Sequence, residues 1–213
     1  VLLGGTQIPV KLTQALSELG IRSYSGYGMT EMASTAFAKQ SDGKIGVGQP
    51  LLGREFKLVN EEVWLKGAGL AMGYWRDGGV DPLTNAEGWF QTKDKGQWLD
   101  NELVIQGRLD NMFISGGENI QPEEIEKVIA QSDLVKQVFV LPKYDEEFGH
   151  RPVAIVEFHT SFNKSAVESL NVFLQGRLER FKQPVAYYEL PQDLIQGAIK
   201  ISRKALADWL SQQ

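Results

Sequence analysis

The stretch Gly107-Arg108-Leu109-Asp110-Asn111-Met112-Phe113-Ile114-Ser115-Gly116-Gly117-Glu118-Asn119-Ile120 divides the sequence into halves of different character. Ahead of it, short apolar runs alternate with glycine turns, the pattern of strands. Behind it, helical and strand periodicities alternate. The stretch holds a buriable arginine, a carboxylate at a candidate pivot and a tight Gly-Gly turn. It reads as a hinge between two bodies, residues 1–109 and 110–213, that share one active site.

At 213 residues, the chain is long enough for one or two domains with a real core. A net charge of −5, with no block of Lys or Arg, argues against nucleic acid as the main partner. No apolar run approaches the length of a membrane-spanning helix, and the expected location is cytoplasmic. The absence of cysteine excludes disulfides, thiolate metal sites and a Cys nucleophile. His150 and His159 are the only histidines, too few for a His-rich metal site. Val1-Leu2-Leu3-Gly4-Gly5 reads as a buried strand with no chain ahead of it to pair with, so the expectation is a C-terminal piece of a longer protein. An exposed sheet edge there would invite pairing with a second copy.

Pro9 to Leu19 reads as a helix, with Pro9 at its first position and Leu12, Ala15, Leu16 and Leu19 on one face. Gly20 stops it, and Ile21 to Ser25 follows as a strand. Strand, helix, strand is the unit of a parallel sheet, whose ligands sit at the carboxyl ends of the strands. Gly4-Gly5-Thr6 and Ser25-Gly26-Tyr27-Gly28-Met29-Thr30-Glu31 fall at those ends. Next, Glu55–Val59 and Glu62–Lys66 flank Asn60-Glu61 as a hairpin, and Gly73–Trp75, Gly88–Phe90 and Leu103–Ile105 add strand segments of a small antiparallel sheet. Beyond the hinge, Pro122 to Ala130 is a helix, Val135–Pro142 and Pro152–Phe158 are strands, and Ser165 with Glu168 forms a capping box. That box opens a helix with Val167, Leu170, Leu174, Leu178 and Phe181 on its buried stripe. Val185–Leu190 is a strand and Ser202–Leu210 a final helix.

Four constellations carry chemistry. In Tyr27-Gly28-Met29-Thr30-Glu31, glycine lets backbone approach a ligand closely, and a hydroxyl beside a carboxylate suits phosphate and Mg²⁺. The bland reading, a strand-to-helix turn capped by Thr, stands at even odds. In Thr92-Lys93-Asp94-Lys95-Gly96, an Asp in a turn after a strand can accept both hydroxyls of a ribose, although a plain turn Asp is commoner. Arg108 can add a charge-assisted bond to ribose or phosphate, or simply pair with Asp110 or Asp94. Lys200, in Gly197-Ala198-Ile199-Lys200-Ile201-Ser202-Arg203, can neutralise charge on a reacting phosphoryl or acyl group, or be one more solvated lysine.

The order of these motifs raises their weight. Gly-Gly-Thr, Tyr-Gly-x-Thr-Glu, Thr-x-Asp-x-Gly, Gly-Arg-x-Asp and a late Lys together resemble the adenylate-forming superfamily of acyl- and aryl-CoA ligases, adenylation domains and luciferases, along the whole chain. The stretches 26–35, 113–124, 147–153 and 199–203 look most like the aryl-CoA ligases that act on o-succinylbenzoate in menaquinone biosynthesis.

The resemblance implies an α/β (α+β) fold. Residues 1–109 would be the C-terminal part of a large nucleotide- and acyl-binding domain, with a parallel sheet and a small antiparallel β subdomain. Residues 110–213 would be a small mobile α+β lid. It implies ATP, Mg²⁺ and coenzyme A as cofactor and co-substrates, and ligation of o-succinylbenzoate through an acyl-adenylate. Gly5, Thr6, Tyr27 and Gly28 would line the adenine and aryl pocket, Thr30 would touch phosphate, and Glu31 would hold Mg²⁺. Asp94 and Arg108 would grip the ribose, Lys200 would bridge carboxylate and phosphate, and Asp110 would be the pivot. Gly116 and Gly117 would border the coenzyme A channel, and Ser34 and Thr35 would contact the acid.

Two features depart from the family pattern. Ile199 stands where the family has Gly before its lysine, with Gly197 two residues earlier. The Ser/Thr/Gly-rich phosphate loop is absent, so this piece alone is expected to be inactive. The alternatives are another aryl- or acyl-CoA ligase of the same superfamily and a non-catalytic nucleotide-binding module.

Overall fold

A computed structural model describes residues 1–5, 8–195 and 201–213. The chain forms two compact units, Val1–Leu109 and Asp110–Gln213.

The first unit opens with β1 (Leu2–Leu3), α1 (Val10–Glu18) and β2 (Tyr24–Met29). β1 and β2 pair in parallel, as the strand-helix-strand reading expects. The second strand lies later than read from sequence, because the glycines of Tyr24-Ser25-Gly26-Tyr27-Gly28-Met29 extend rather than turn. Pro9 is the extended cap of α1 (ψ 132°) rather than its first helical residue. The expected stripe is also displaced: Leu12 and Leu19 are exposed and Thr13 is buried, its hydroxyl satisfied by the Val10 carbonyl at 2.9 Å.

A 3-10 turn, Thr30–Met32, follows β2 directly and leads into β3 (Ser34–Gln40), which runs antiparallel to β2; β4 (Gln49–Pro50) completes this sheet. β5 (Arg54–Val59) and β6 (Glu62–Gly67) form the expected hairpin. Asn60 (φ 50°) and Glu61 (φ 66°) take the left-handed conformations that a two-residue hairpin turn needs. β7 (Gly73–Arg76) and β8 (Gly79–Pro82) form a separate hairpin. β9 (Phe90–Leu99) and β10 (Glu102–Arg108) complete a second sheet in the order β10-β9-β6-β5.

Thr92 to Gly96, expected as a turn, lies inside β9. Lys93 has positive φ (61°) there, and the register with β6 slips between Gln91 and Lys95, so a bulge within the strand takes the place of the expected turn. The core joins Met32, Ala36, Phe37, Val63, Leu65 and Leu103. An aromatic row, Tyr27–Phe37–Phe56–Trp98, with centroids 6.1, 5.1 and 4.8 Å apart, ties the two sheets together.

A 3-10 turn, Leu109–Asn111, spans the change from the first unit to the second, which continues with a short hairpin, β11 (Phe113–Ser115) and β12 (Glu118–Ile120), turning on Gly116-Gly117. α2 (Pro122–Ile129), β13 (Val135–Asp145), β14 (Gly149–Phe158), α3 (Lys164–Leu174), β15 (Tyr187–Glu189), α4 (Gln192–Ile195) and α5 (Arg203–Leu210) follow. The order β13-β14-β15 leaves β14 central. Its unbroken apolar run, Val153 to Val156, is what a strand covered on both faces needs. Ala154 and Val156 join Ile125, Ile129, Leu170 and Leu174 on one face. Val153 and Ile155 join Leu141, Leu190, Ile201, Leu206 and Leu210 on the other.

Two local expectations are corrected here. The cap of α3 is Asn163, whose Oδ1 accepts from the Ala166 amide at 2.9 Å; Ser165 lies inside the helix. Phe181, expected on the buried stripe, is 36% exposed, because the helix ends at Leu174. Among the described residues, no helix is long and apolar enough to cross a membrane.

Candidate functional site

The first unit gathers several of the singled-out residues around one open cleft of about 640 Å³, lined by Leu3, Gly5, Gly28, Thr30, Ser34 and Thr35 among others. That volume suits a small organic ligand. The cleft lies beside the turn that joins β2 to β3, where Met29 and Ser34 are the last paired residues. Ala33 (φ 59°) and Ser34 (φ 133°) bend the chain back so that the segment after the 3-10 turn faces the end of β1. Gly28 permits this closeness: a Cβ there would lie 1.9 Å from the Ser34 carbonyl oxygen. Thr6 lies outside the described residues.

Next along β2, Tyr27 donates its phenol hydrogen to Asp94 Oδ2 at 2.5 Å. Asp94 is only 8% exposed and is held from several directions. Arg108 Nη1 lies 3.3 Å from its Oδ1. Its backbone amide donates to the Thr92 hydroxyl at 3.0 Å, and that hydroxyl donates to the Val63 carbonyl at 2.7 Å. Arg108 also donates to the Thr92 carbonyl at 3.4 Å. Burial, reinforced by the negative charge of Asp94, pushes the Tyr27 phenol far above its ordinary value, so it stays a donor. An ionised carboxylate has about four lone-pair directions. Tyr27 and Arg108 each reach one of its oxygens, which holds the carboxylate at a fixed angle within the cluster.

Glu31 accepts from the Tyr74 hydroxyl at 2.5 Å. That hydrogen bond first, and burial second, push the Tyr74 phenol upward. Tyr74 escaped the sequence reading because nothing near Gly73-Tyr74-Trp75 marks a partner for a residue 43 positions earlier. Thr92, read only as part of a motif, is the hub of the Asp94 cluster. Among the described residues, no group of three or more His, Asp or Glu side chains converges as a metal cage. Mg²⁺ needs none: it is commonly held by one or two carboxylates, waters and the phosphates of its nucleotide. Glu31, one residue from the Thr30 hydroxyl, fits that donor set.

In the second unit, Asp110 lies in the 3-10 turn Leu109–Asn111. Gly116 (φ 57°) and Gly117 (φ 88°) form the hairpin turn, with the Gly116 amide donating to the Phe148 carbonyl at 3.0 Å. Lys200 lies outside the described residues.

Comparisons with known proteins agree on one lineage. The family described as AMP-binding enzyme matches residues 1–75, and the family described as AMP-binding enzyme C-terminal domain matches residues 124–195. A 2-succinylbenzoate–CoA ligase of Haemophilus influenzae is 68% identical over all of this chain, which covers 47% of that protein. A variant of Escherichia coli MenE solved with bound OSB-AMS superposes with a TM-score of 0.91 at 52% identity, covering 100% of this chain and 46% of that one. MenE from Bacillus subtilis, solved in complex with ATP and magnesium ion, superposes at 0.75 and 27% identity, covering 89% and 42%. The chain thus spans about half the length of the curated relatives it matches.

Proposed function

This chain belongs to the AMP-binding enzyme family, and on that premise we propose that the protein carrying it ligates o-succinylbenzoate to coenzyme A through an acyl-adenylate. In the first step, a carboxylate oxygen of the acid attacks the α-phosphorus of ATP, the bond to the β-phosphate breaks, and pyrophosphate leaves. In the second, the coenzyme A sulfur attacks the acyl carbon and AMP leaves with the electrons of the broken C–O bond. The products are o-succinylbenzoyl-CoA, AMP and pyrophosphate.

The observation that carries this reading is the buried Asp94, held by Tyr27 and Arg108 in one cluster with Thr92, a carboxylate of the acceptor-only kind that a ribose diol requires. Arg108 adds positive charge at the edge of the same cluster. Thr30 receives phosphate, and Glu31 holds Mg²⁺, which when bound offsets the charge of the phosphates. Gly5, Thr6, Tyr27 and Gly28 form the wall for adenine and the aryl ring, and Ser34 and Thr35 face the acid. Lys200 offsets negative charge as the phosphoryl group is transferred. Residues 1–109 act as the end of the nucleotide- and acyl-binding domain and residues 110–213 as the lid. Asp110 is the pivot, and Gly116-Gly117 borders the path of the thiol arm in the second step. A pivot of this kind lets one lid serve two steps.

The test is product analysis with the complete protein. With o-succinylbenzoate, ATP and Mg²⁺ it should release pyrophosphate, and with coenzyme A added it should form the thioester and AMP. Absence of pyrophosphate release with this acid, or faster release with a different aryl acid, would overturn the assignment.

A further inference from the structure

Lys200 is followed by three residues that the second unit anchors firmly. Ile201 is 9% exposed and packs with Leu141, Val153, Ile155 and Leu206. Ser202 caps α5, its hydroxyl accepting from the Ala205 amide at 3.4 Å. Arg203 is held more tightly than either. Its Nη2 donates to both oxygens of Glu126 on α2, at 2.5 and 2.6 Å, and its Nη1 donates to the Val140 carbonyl at 2.9 Å.

The arrangement around Val140 is specific. β13 is an edge strand, and at Val140 its free edge presents one amide and one carbonyl. Glu126 Oε1 accepts from that amide at 2.6 Å while Arg203 donates to the carbonyl. The two side chains bond to each other and together take the place of a missing strand. Helix α2, strand β13 and the start of α5 are thereby locked at one point. The side chains are only 16% and 24% exposed, which strengthens a charge-assisted fork.

The network continues toward the candidate pivot. Glu123, one helical turn before Glu126, accepts from Asn111 Nδ2 at 2.6 Å and from Gln121 Nε2 at 2.5 Å. Arg203 Nη2 lies 3.8 Å from Glu123 Oε1. Asn111 is the residue after Asp110. One polar chain, Asn111–Glu123–Arg203–Glu126, therefore joins the neighbour of the pivot to the third residue after the lysine.

We propose that Arg203 is a positioning residue for the adenylation half-reaction, fixing through its fork on Glu126 the residues 201–203 that follow Lys200 in sequence. The proposal rests on the role given above to Lys200. Arg203 itself touches no reactant. Its loss should therefore impair the step that uses Lys200 and spare the step that does not.

The experiment separates the halves in the complete ligase. Adenylation is followed as single-turnover pyrophosphate release without coenzyme A, and thioester formation as coenzyme A consumption from a supplied acyl-adenylate. Three variants are compared: Arg203→Lys, which keeps the charge and loses the fork, Glu126→Gln, which keeps the shape and loses the charge, and Arg203→Met. The first two guard against a fold failure in the third. Arg203→Lys and Glu126→Gln should each slow adenylation roughly tenfold or more, the scale of one lost charge-assisted fork. Thioester formation should stay within about twofold of wild type on the same scale, measured at a temperature where circular dichroism shows each variant fully folded, because losing one partner of a part-buried pair lowers the thermal midpoint. Equal slowing of both halves, or none in either, would overturn the proposal and leave the pair a purely structural staple. Lys200→Ala is run alongside. If it adenylates normally, the reading of Lys200 fails and the proposal falls with it; if only Lys200→Ala is impaired, the positioning role alone fails.

Discussion

The phenol of Tyr27 and the carboxylate of Asp94, 67 residues apart in sequence, meet at 2.5 Å across the boundary between two sheets of the first unit. The bond fixes the orientation of the Asp94 carboxylate. Tyr27→Phe keeps the ring in the aromatic row and removes only the donor. A hydrogen bond to a charged group contributes about 1.5–3 kcal/mol, so the KM for ATP in the complete ligase should rise roughly ten- to hundredfold. Initial rates at varied ATP measure this, and an unchanged KM would mean that Tyr27 does not orient Asp94 for the nucleotide.

Gly28 and Gly26 make a graded pair. At Gly28 a methyl group would strike the Ser34 carbonyl at 1.9 Å, a backbone atom with nowhere to go; at Gly26 the nearest contacts are 3.3 Å. Gly28→Ala should cost about 3 kcal/mol or more by forcing β2 and β3 apart, and it should weaken binding of the acid, because Ser34 and Thr35 move with β3. Gly26→Ala should cost about 1 kcal/mol or less. Chemical denaturation of both variants checks the ranking.

The sequence exposes the fold through its periodicities and turn chemistry. Asn60-Glu61 marks a hairpin because two strand-like runs flank it, although Glu61 must take a positive φ that glutamate seldom adopts, and the run Val153 to Val156 belongs to a strand that the structure covers on both faces. The candidate site was legible as an ordered set of motifs, not as a geometry. Nothing local tells that Tyr74 reaches Glu31, because the hairpin of β7 and β8 decides it. Asp94 read as a turn residue because Asp and Gly favour turns; the structure answers that preference with a bulge at Lys93 inside a continuing strand. Ser165 read as a cap because its spacing to Glu168 is right, but Asn163, two residues earlier, captured the helix end first. In α1, leucines at helical spacing looked like a buried face, yet the burial of Thr13 shows that spacing alone does not decide which face is covered.

The turn at Gly116-Gly117 offers a coupling test. A methyl group at Gly116 would sit 2.8 Å from the Phe148 ring, whereas at Gly117 it would meet nothing within 4 Å. Both substitutions carry the strain of positive φ, about 1–2 kcal/mol each. Phe148→Ala should recover part of the loss in Gly116→Ala, with a coupling of about 0.5 kcal/mol or more, and none in Gly117→Ala. Thermal melts of the singles and doubles give the two coupling energies directly.

Tyr187 sets an alkaline limit for the second unit. Its hydroxyl donates to Asn171 Oδ1 at 2.7 Å, and burial pushes its pKa from 10.0 up to about 12. The unfolded chain loses this proton first, so the stabilising contribution is complete below pH 10.0 and is lost as pH rises to about 12. Melts of wild type and Tyr187→Phe should differ most below pH 10.0 and converge toward about 12. A constant gap across that window would show that ionisation of this phenol is not coupled to unfolding.

The open space over Gly117 has a consequence for selectivity. At Gly117 the bend carries no side chain and nothing lies within 4 Å of where one would start, whereas at Gly116 the Phe148 ring closes in and the Phe148 carbonyl takes the amide. On the role proposed for this turn, the thiol arm passes on the Gly117 side, so a thin, flexible tether should clear the corner and a bulkier one should be held off.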